Sequence, residues 1–403
     1  MKIALVNNYY YVRGGSERVL FDDQEALEAA GHDVRPFAAK DVRNKYSSSE
    51  VYFPQVTDYM AARGVGKIKA AIDLIYAPTV GQSFGRFLDD FHPDVVHCHN
   101  IYGRLTTAIL DAANRRCIPV VMTVHDLKLV CPAYLGLREG KPCQLCQDGG
   151  YWRCVRYKCH KQSLTASSVY SAEAYFNHYA GKYNTVARFL CPSHFVEQAL
   201  INGGIPPERV VYHSNALNPS LYTPQCSPGD YMFYAGRLSS EKGILTLLKA
   251  VELTGIPLRI AGTGPLEKQI RARIEERRLP VQMEGYCTGV QLADLYRNSA
   301  FAVLPSEWYE NASMSALETF AYGKPVLASK IGGNPEIVRE GETGCLFTPF
   351  SVEDLAAIAS KLWANRSKIA KLGKNARQMI EQEFSQDKRC NSLLCIYSEI
   401  MGC

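Results

Sequence analysis

Glu310 and Glu318 stand eight residues apart in a stretch that reads Pro305-Ser306-Glu307-Trp308-Tyr309-Glu310-Asn311-Ala312-Ser313-Met314 and continues to Leu317. A short apolar run, Phe301–Leu304, precedes it. A segment of helical period, Ser313–Tyr322, follows and is ended by Gly323-Lys324-Pro325. This places Glu310 in the loop at a strand's carboxyl end and Glu318 inside the helix. Asn311, Ala312, Ser313 and Met314 form the entry to that helix, where N–H groups without an intrahelical acceptor suit an anion such as a diphosphate. Two carboxylates beside a diphosphate would repel it unless they accept from hydroxyls on either side of it. Arg237 and Lys242 follow another apolar run, Tyr231–Ala235, and are five apart. Two cations there would stabilise a diphosphate leaving group as its charge grows. The plainer readings are solvated helix-end acids, and surface cations paired to Glu241.

The first half of the chain offers fewer such residues. Gly14-Gly15 sits between the apolar run Lys2–Val6 and a helical segment, Ser16–Ala30. Glycines there let backbone approach a phosphate or sugar, although a tight turn uses them too. Asn8-Tyr9-Tyr10-Tyr11 precedes them as expected lining of a ligand cleft. His125 follows Val120–Val124 at a strand's mouth. His97 and His99 are expected on opposite faces of Val95–Cys98 as core or support, and Asn100 as a cleft residue. Cys131, Cys143, Cys146, Cys154 and Cys159 fall within one segment. Cys143, Cys146, Cys154 and Cys159 have a spacing compatible with structural zinc, which ranks behind reduced thiols in a buried insertion.

These residues need a scaffold of strands and helices. Beyond those already named, Val34–Ala38, Val186–Cys191, Leu258–Ala261, Val281–Glu284 and Pro325–Ala328 read as buried strands with helical segments between. Two runs of strand–helix units predict two parallel-sheet α/β domains, with ligand at the carboxyl ends of the strands in a cleft between them. The boundaries expected are 1–217, 218–385 and a last helix, Gln386–Met401 within 386–403, crossing back to the first domain. Asn218–Asp230, with three prolines, is expected to be the linker.

The whole chain fits this picture. Its 403 residues exceed what one core usually serves. A charged fraction of 21% with 47% hydrophobic residues excludes a disordered or collagen-like chain. The formal charge of +5 is too small for a nucleic-acid binder. Arg138–Lys161 holds six basic and two acidic residues, interleaved with aromatics, inside the 131–161 insertion. Such a loop suits a phosphate-bearing or lipid-linked acceptor at an interface, or is a solvated basic surface. Four apolar residues after Lys2 are too few for a signal-peptide core. No window approaches a membrane span. A reducing cytosol is therefore the expected compartment, with peripheral contact at the inner face of the membrane left open.

The motifs together resemble a family. Glu310–Glu318, Ala321-Tyr322-Gly323-Lys324-Pro325-Val326, Gly332-Gly333-Asn334-Pro335-Glu336-Ile337-Val338, Gly341–Phe347 and Tyr234–Gly243 are similar to the retaining glycosyltransferases of family 4. Gly14-Gly15-Ser16-Glu17-Arg18 and Pro93–Asn100 carry the likeness into the first half. The resemblance implies a GT-B fold, two Rossmann-like domains facing a cleft, with the donor in the C-terminal domain and the acceptor in the N-terminal one. It implies Glu318 on the ribose, Arg237 and Lys242 on the diphosphate, Glu310 on the transferred sugar, and His125 hydrogen-bonding that sugar. Gly14, Gly15, Asn311, Ala312, Ser313 and Met314 complete the implied donor contacts. No catalytic metal is implied. The implied activity is transfer from a nucleotide-diphosphate sugar, UDP-linked first and GDP-linked second, to a glycan or lipid-linked hydroxyl in surface-polysaccharide synthesis. Asn311-Ala312-Ser313 departs from the Gly-Phe-Gly of many members, which implies different sugar-pocket contacts. A sugar-nucleotide epimerase on the same fold is the alternative; a phosphorylase lacks its pyridoxal lysine motif. A zinc-knuckle nucleic-acid or partner-binding module ranks last, since it leaves the paired glutamates unexplained.

Overall fold

The computed structural model describes residues 1–402 except 57, 58 and 60. The chain forms two compact units, one of residues 1–139, 143–214 and 389–403, the other of 215–388 with 140–142.

The first unit is built on a six-stranded parallel sheet in the spatial order Asp33–Phe37, Lys2–Val6, Val95–Cys98, Val120–Thr123, Val186–Cys191, Val210–Tyr212. Val95–Cys98 and Val120–Thr123 are buried at every position, as strands covered on both faces must be. The three-residue Val210–Tyr212 and the small hairpin of Leu137–Arg138 with Lys141–Pro142 are too short to show a period in the sequence. The helix Gln386–Met401 turns Arg389, Cys390, Leu393, Ile396, Tyr397 and Ile400 inward, the stripe of an amphipathic helix. Its residues from 389 onward belong to this unit.

The second unit repeats the plan: Val281–Gly285, Leu258–Ala261, Met232–Ala235, Phe301–Leu304, Val326–Ser329, Gly344–Phe347, again parallel. The segment 218–230, expected as the linker, is stitched to this unit. The fully buried Lys324 donates to the Ser227 carbonyl at 2.7 Å. Arg377 donates to the carbonyls of Pro219, Tyr222 and Ala321. The carbonyls of Pro219, Tyr222 and Ser227 lie outside any strand or α-helix, and these side-chain donors satisfy them, which explains why a non-periodic stretch is nonetheless ordered.

In each unit the chain works outward from a central strand, returns, and continues on the other side. The switch falls between Lys2–Val6 and Val95–Cys98 in the first unit and between Met232–Ala235 and Phe301–Leu304 in the second. Open parallel sheets bind ligands outside the carboxyl ends of strands at such points.

Candidate active site

The second unit's switch point carries Gly236–Gly243 after one strand and Pro305–Ser313 after the other. Glu310 is 7% exposed and its Oε1 accepts three bonds: Lys242 Nζ at 2.6 Å, Ser306 Oγ at 2.6 Å and Trp308 Nε1 at 2.8 Å. Burial works to raise the Glu310 carboxyl, but the Lys242 ammonium and the hydrogen bonds outweigh it and hold it below its usual range. Lys242 also lies 4.7 Å from the Trp308 ring centroid. Arg237 is exposed and, among the described residues, its side chain has no partner. Its loop is anchored from beneath, because the buried Tyr234 donates its hydroxyl to the Arg237 carbonyl at 2.8 Å.

Backbone packing fixes these loops. Gly332 has φ +59°, and a Cβ there would lie 2.3 Å from the Glu310 carbonyl oxygen. Gly333 N–H donates to that same oxygen at 2.6 Å. Gly262, at φ +143°, would place a Cβ 1.9 Å from the Gly236 carbonyl oxygen. Only glycine serves at either position. The helix Met314–Ala321 is N-capped by Ser313, whose Oγ accepts from Ala316 N–H at 3.4 Å. The first-turn N–H groups precede any intrahelical acceptor and remain available to an anion. Asn215 reaches the same turn through a 3.2 Å bond to the Ala312 carbonyl. Glu318 accepts from the buried Tyr296 hydroxyl at 3.1 Å.

The first unit's switch point is laced together by Asn7 and Asn8. Asn7 Oδ1 accepts from Asn100 N–H at 2.9 Å, while Asn8 donates to the Tyr102 carbonyl and accepts from Leu105 N–H. Gly14 caps the helix Gly15–Ala29, and its N–H is taken by the Glu17 carboxylate at 3.0 Å. Gly14 is extended, and a Cβ would meet nothing nearer than 4.0 Å. The fold itself therefore does not require glycine there. Among the Tyr9–Tyr11 run, Tyr10 is buried with its hydroxyl on Gln24, whereas Tyr9 and Tyr11 stack under Arg13, Arg104 and Arg43.

A cluster of histidines lies below, with His97, His99 and His213 buried and His125 half-buried. His99 Nδ1 and His125 Nε2 share a hydrogen bond of 2.8 Å. His97 bonds Thr123 Oγ1 through Nε2 and the Tyr397 hydroxyl through Nδ1, both at 2.7 Å. The expectation that His97 and His99 face opposite sides is corrected: their ring centroids are 4.5 Å apart. Residues two apart on a strand share a face. Burial, as the first cause in each, pushes His97 down to about 4 and His125 and His213 down to about 3, and lowers His99 well below its usual value. All four are neutral imidazoles near pH 7. Arg389 makes a two-pronged ion pair with Asp23 at 2.6 and 2.8 Å, both side chains at most 4% exposed. Asp23, His97 and His99 offer ligand atoms within 4.8 Å of one another. The carboxylate oxygens are already engaged by a guanidinium and both His97 nitrogens are bonded, so the trio serves the fold rather than a cation.

The sequence signalled Arg237, Lys242, Glu310 and Glu318, and the structure joins Lys242 to Glu310 directly. Glu241, considered as a partner for the cations, instead accepts from Ser239 Oγ at 2.5 Å. Ser306 and Trp308 were missed as partners of Glu310, although both stand in the quoted motif. His99 was assigned to the core and is also the direct partner of His125; spacing alone does not distinguish the two roles.

Two family models cover the chain: "Glycosyltransferase Family 4" matches residues 13–221 and "Glycosyl transferases group 1" matches 227–379. A sulfoquinovosyl transferase of Arabidopsis thaliana is 25% identical over 334 residues, 78% of this chain and 58% of the plant protein, so the chain spans less than two thirds of that relative. A glycogen synthase of Mycobacterium tuberculosis is 25% identical over 95% of this chain and 91% of its own. The structure of Anabaena Alr3699/HepE in complex with UDP-glucose matches with a TM-score of 0.71 at 18% identity, covering 99% of this chain and all of that one, a likeness of fold. No helix among the described residues is long and apolar enough to cross a membrane. With two Rossmann-like parallel sheets of GT-B type and family models that meet near the boundary between the two units, the chain belongs to glycosyltransferase family 4, within the group 1 glycosyltransferases.

Proposed function

We propose that the chain transfers a hexosyl group from a UDP-sugar, with a GDP-sugar as the second candidate, to a hydroxyl of a glycan or lipid-linked acceptor, with retention at the anomeric carbon. The observation that carries this reading is the buried, charged Glu310 held by Lys242, Ser306 and Trp308 at a topological switch point, with the exposed Arg237 on the same loop as Lys242. A fixed carboxylate accepts from sugar hydroxyls, and adjacent cations attract a diphosphate. The helix entry at Ala312, Ser313 and Met314 adds N–H groups for the same anion, and we assign Glu318 to the ribose hydroxyls. On the first unit, Gly14 and Gly15 give backbone access, and His125 supplies a neutral hydrogen-bonding imidazole.

The bond from the anomeric carbon to the diphosphate oxygen breaks with its electron pair leaving on oxygen. Arg237 and Lys242 stabilise that charge. The acceptor oxygen bonds to the same face of the anomeric carbon, and its proton passes to the departing phosphate oxygen. Catalysis in this scheme needs no metal. Support for UDP comes from the UDP-glucose bound to Anabaena Alr3699/HepE, and for a glycan acceptor from the mycobacterial glycogen synthase. Cell-surface polysaccharide synthesis, with peripheral contact at the inner face of the membrane, is the setting we assign.

Thermal-shift screening of UDP-, GDP- and ADP-sugars tests the donor, since a ligand at 100 times its Kd adds about 2.7 kcal/mol. A shift with UDP-sugars is expected, and no shift with any nucleotide sugar overturns the reading. NMR of the product tests retention: an inverted anomeric configuration rejects the mechanism.

A further inference from the structure

The cysteines of the 131–161 segment play no part in the proposed transfer. Cys131, Cys143, Cys146, Cys154 and Cys159 nevertheless line one small cavity of about 20 Å³, with Leu127, Val130, Leu137 and Leu145 as its apolar wall. That is room for about one water-sized body. All five are free thiols. They come from separate turns: Cys131 after Val130, Cys143 and Cys146 beyond the hairpin, Cys154 in the helix Trp152–Arg156, and Cys159 after it.

Little else organises this stretch. Between residues 131 and 163 the regular structure is two two-residue strands and one five-residue helix. Tyr134, Glu139, Lys158, Lys161 and Gln162 are five of the ten non-glycine residues with positive φ among the described residues. Such backbone persists only where something over-determines it. The feature this irregular backbone frames is the small cavity lined by five cysteines.

We propose that this cavity is a structural zinc site whose ligands are Cys131, Cys143, Cys146 and Cys159. Four thiolates form the closed tetrahedral set of a structural zinc. These four are half-buried and lie outside helices and strands, so their side chains are not fixed by regular backbone. Cys154, 1% exposed, is different: it is fixed within a helix, where the Cys159 thiol and the Ser171 and Ser167 hydroxyls already hydrogen-bond its sulfur. The backbone N–H groups of Ala133 and Gly136 are directed at Cys131 Sγ, the outer hydrogen bonds that metal-bound thiolates accept. No three of the sulfurs stand within 4.8 Å of one another among the described residues, so binding closes the turns onto the ion by side-chain rotation. Zinc with four thiolates carries a net charge of −2. The six basic residues of Arg138–Lys161, against two acidic ones, offset it and give that basic excess a structural purpose.

The test is metal analysis of the full-length protein, purified anaerobically without chelator and supplied with zinc alone. About one zinc per chain is expected, released on titration with a mercurial. Cys143→Ser and Cys146→Ser should lower the zinc content at least about ten-fold, whereas Cys154→Ser should retain it. If a serine variant fails to fold, mercurial titration of the wild type still reports whether released zinc tracks modification of these thiols. Protein that stays metal-free overturns the proposal. So does zinc retained in both Cys143→Ser and Cys146→Ser, zinc lost with Cys154→Ser, or disulfides among these cysteines found by mass spectrometry.

Discussion

The two switch points share one topology and handle their buried polar groups differently. In the second unit a carboxylate stays charged because Lys242, Ser306 and Trp308 surround it, and Arg237 stands exposed on the loop that carries Lys242. In the first unit, four histidines are neutral, and the charge pair Asp23–Arg389 lies sealed beneath them. The difference teaches what each half can do. Exposed charge at a strand end attracts a charged ligand, whereas neutral imidazoles orient hydroxyls without drawing a diphosphate to themselves. The first unit achieves this through burial, and burial makes it vulnerable to protons.

Acid is therefore expected to break the comparison most strongly. A histidine whose folded value is depressed binds its proton more readily when unfolded. Stability is thus lost as pH falls from about 6.5 toward the folded values near 4 and 3 for His97, His125 and His213. Each group contributes a slope of about 1.4 kcal/mol per pH unit in that window. Trp152 reports on the first unit and Trp308 and Trp363 on the second, so single-tryptophan variants can follow the two separately. The first unit should unfold at higher pH than the second; coincident acid transitions or a second unit that fails first would contradict this.

Arg389→Met comes next. It removes one partner of a buried ion pair and leaves Asp23 charged and unpaired, at a cost of about 3–5 kcal/mol. The double variant Asp23→Leu with Arg389→Met should recover much of that loss, as measured by urea unfolding. Equal destabilisation in the single and double variants would show that the pair itself matters little.

Glu310→Ala should lower kcat by about 10²–10³, or 2.7–4 kcal/mol, with the second unit still folded by circular dichroism. Near-normal turnover would remove Glu310 from the site. The position of this glutamate was legible because a strand, a loop and a helix leave few places for a residue at a strand's carboxyl end. Its bond to Lys242 was not, since the two are 68 residues apart and meet only because their strands are neighbours across the switch. The histidine cluster was misread for a simpler reason: His97 and His99 are two apart, and the strand period sets them on one face. Tyr397 on His97 and Arg389 on Asp23 were invisible for want of any local signal, since the last helix reaches them from the far end of the chain.

The smallest expected effect sharpens the comparison instead of breaking it. Ser193 and Ser313 perform the same task in the two units, each capping a helix that follows a strand, with Oγ accepting from Val196 N–H at 3.3 Å and Ala316 N–H at 3.4 Å. Replacing either with alanine should cost about 1 kcal/mol. For units of this size that is a fall in Tm of about 2–4 °C. Only Ser313→Ala should also raise the KM for the nucleotide sugar, because its helix presents the N–H groups assigned to the diphosphate, whereas Ser193→Ala should change stability alone. Matching stability losses with unequal KM values would locate the donor's phosphates at the second unit's switch point. An equal rise in KM for both variants would mean that the two helix entries are not distinguished by the donor.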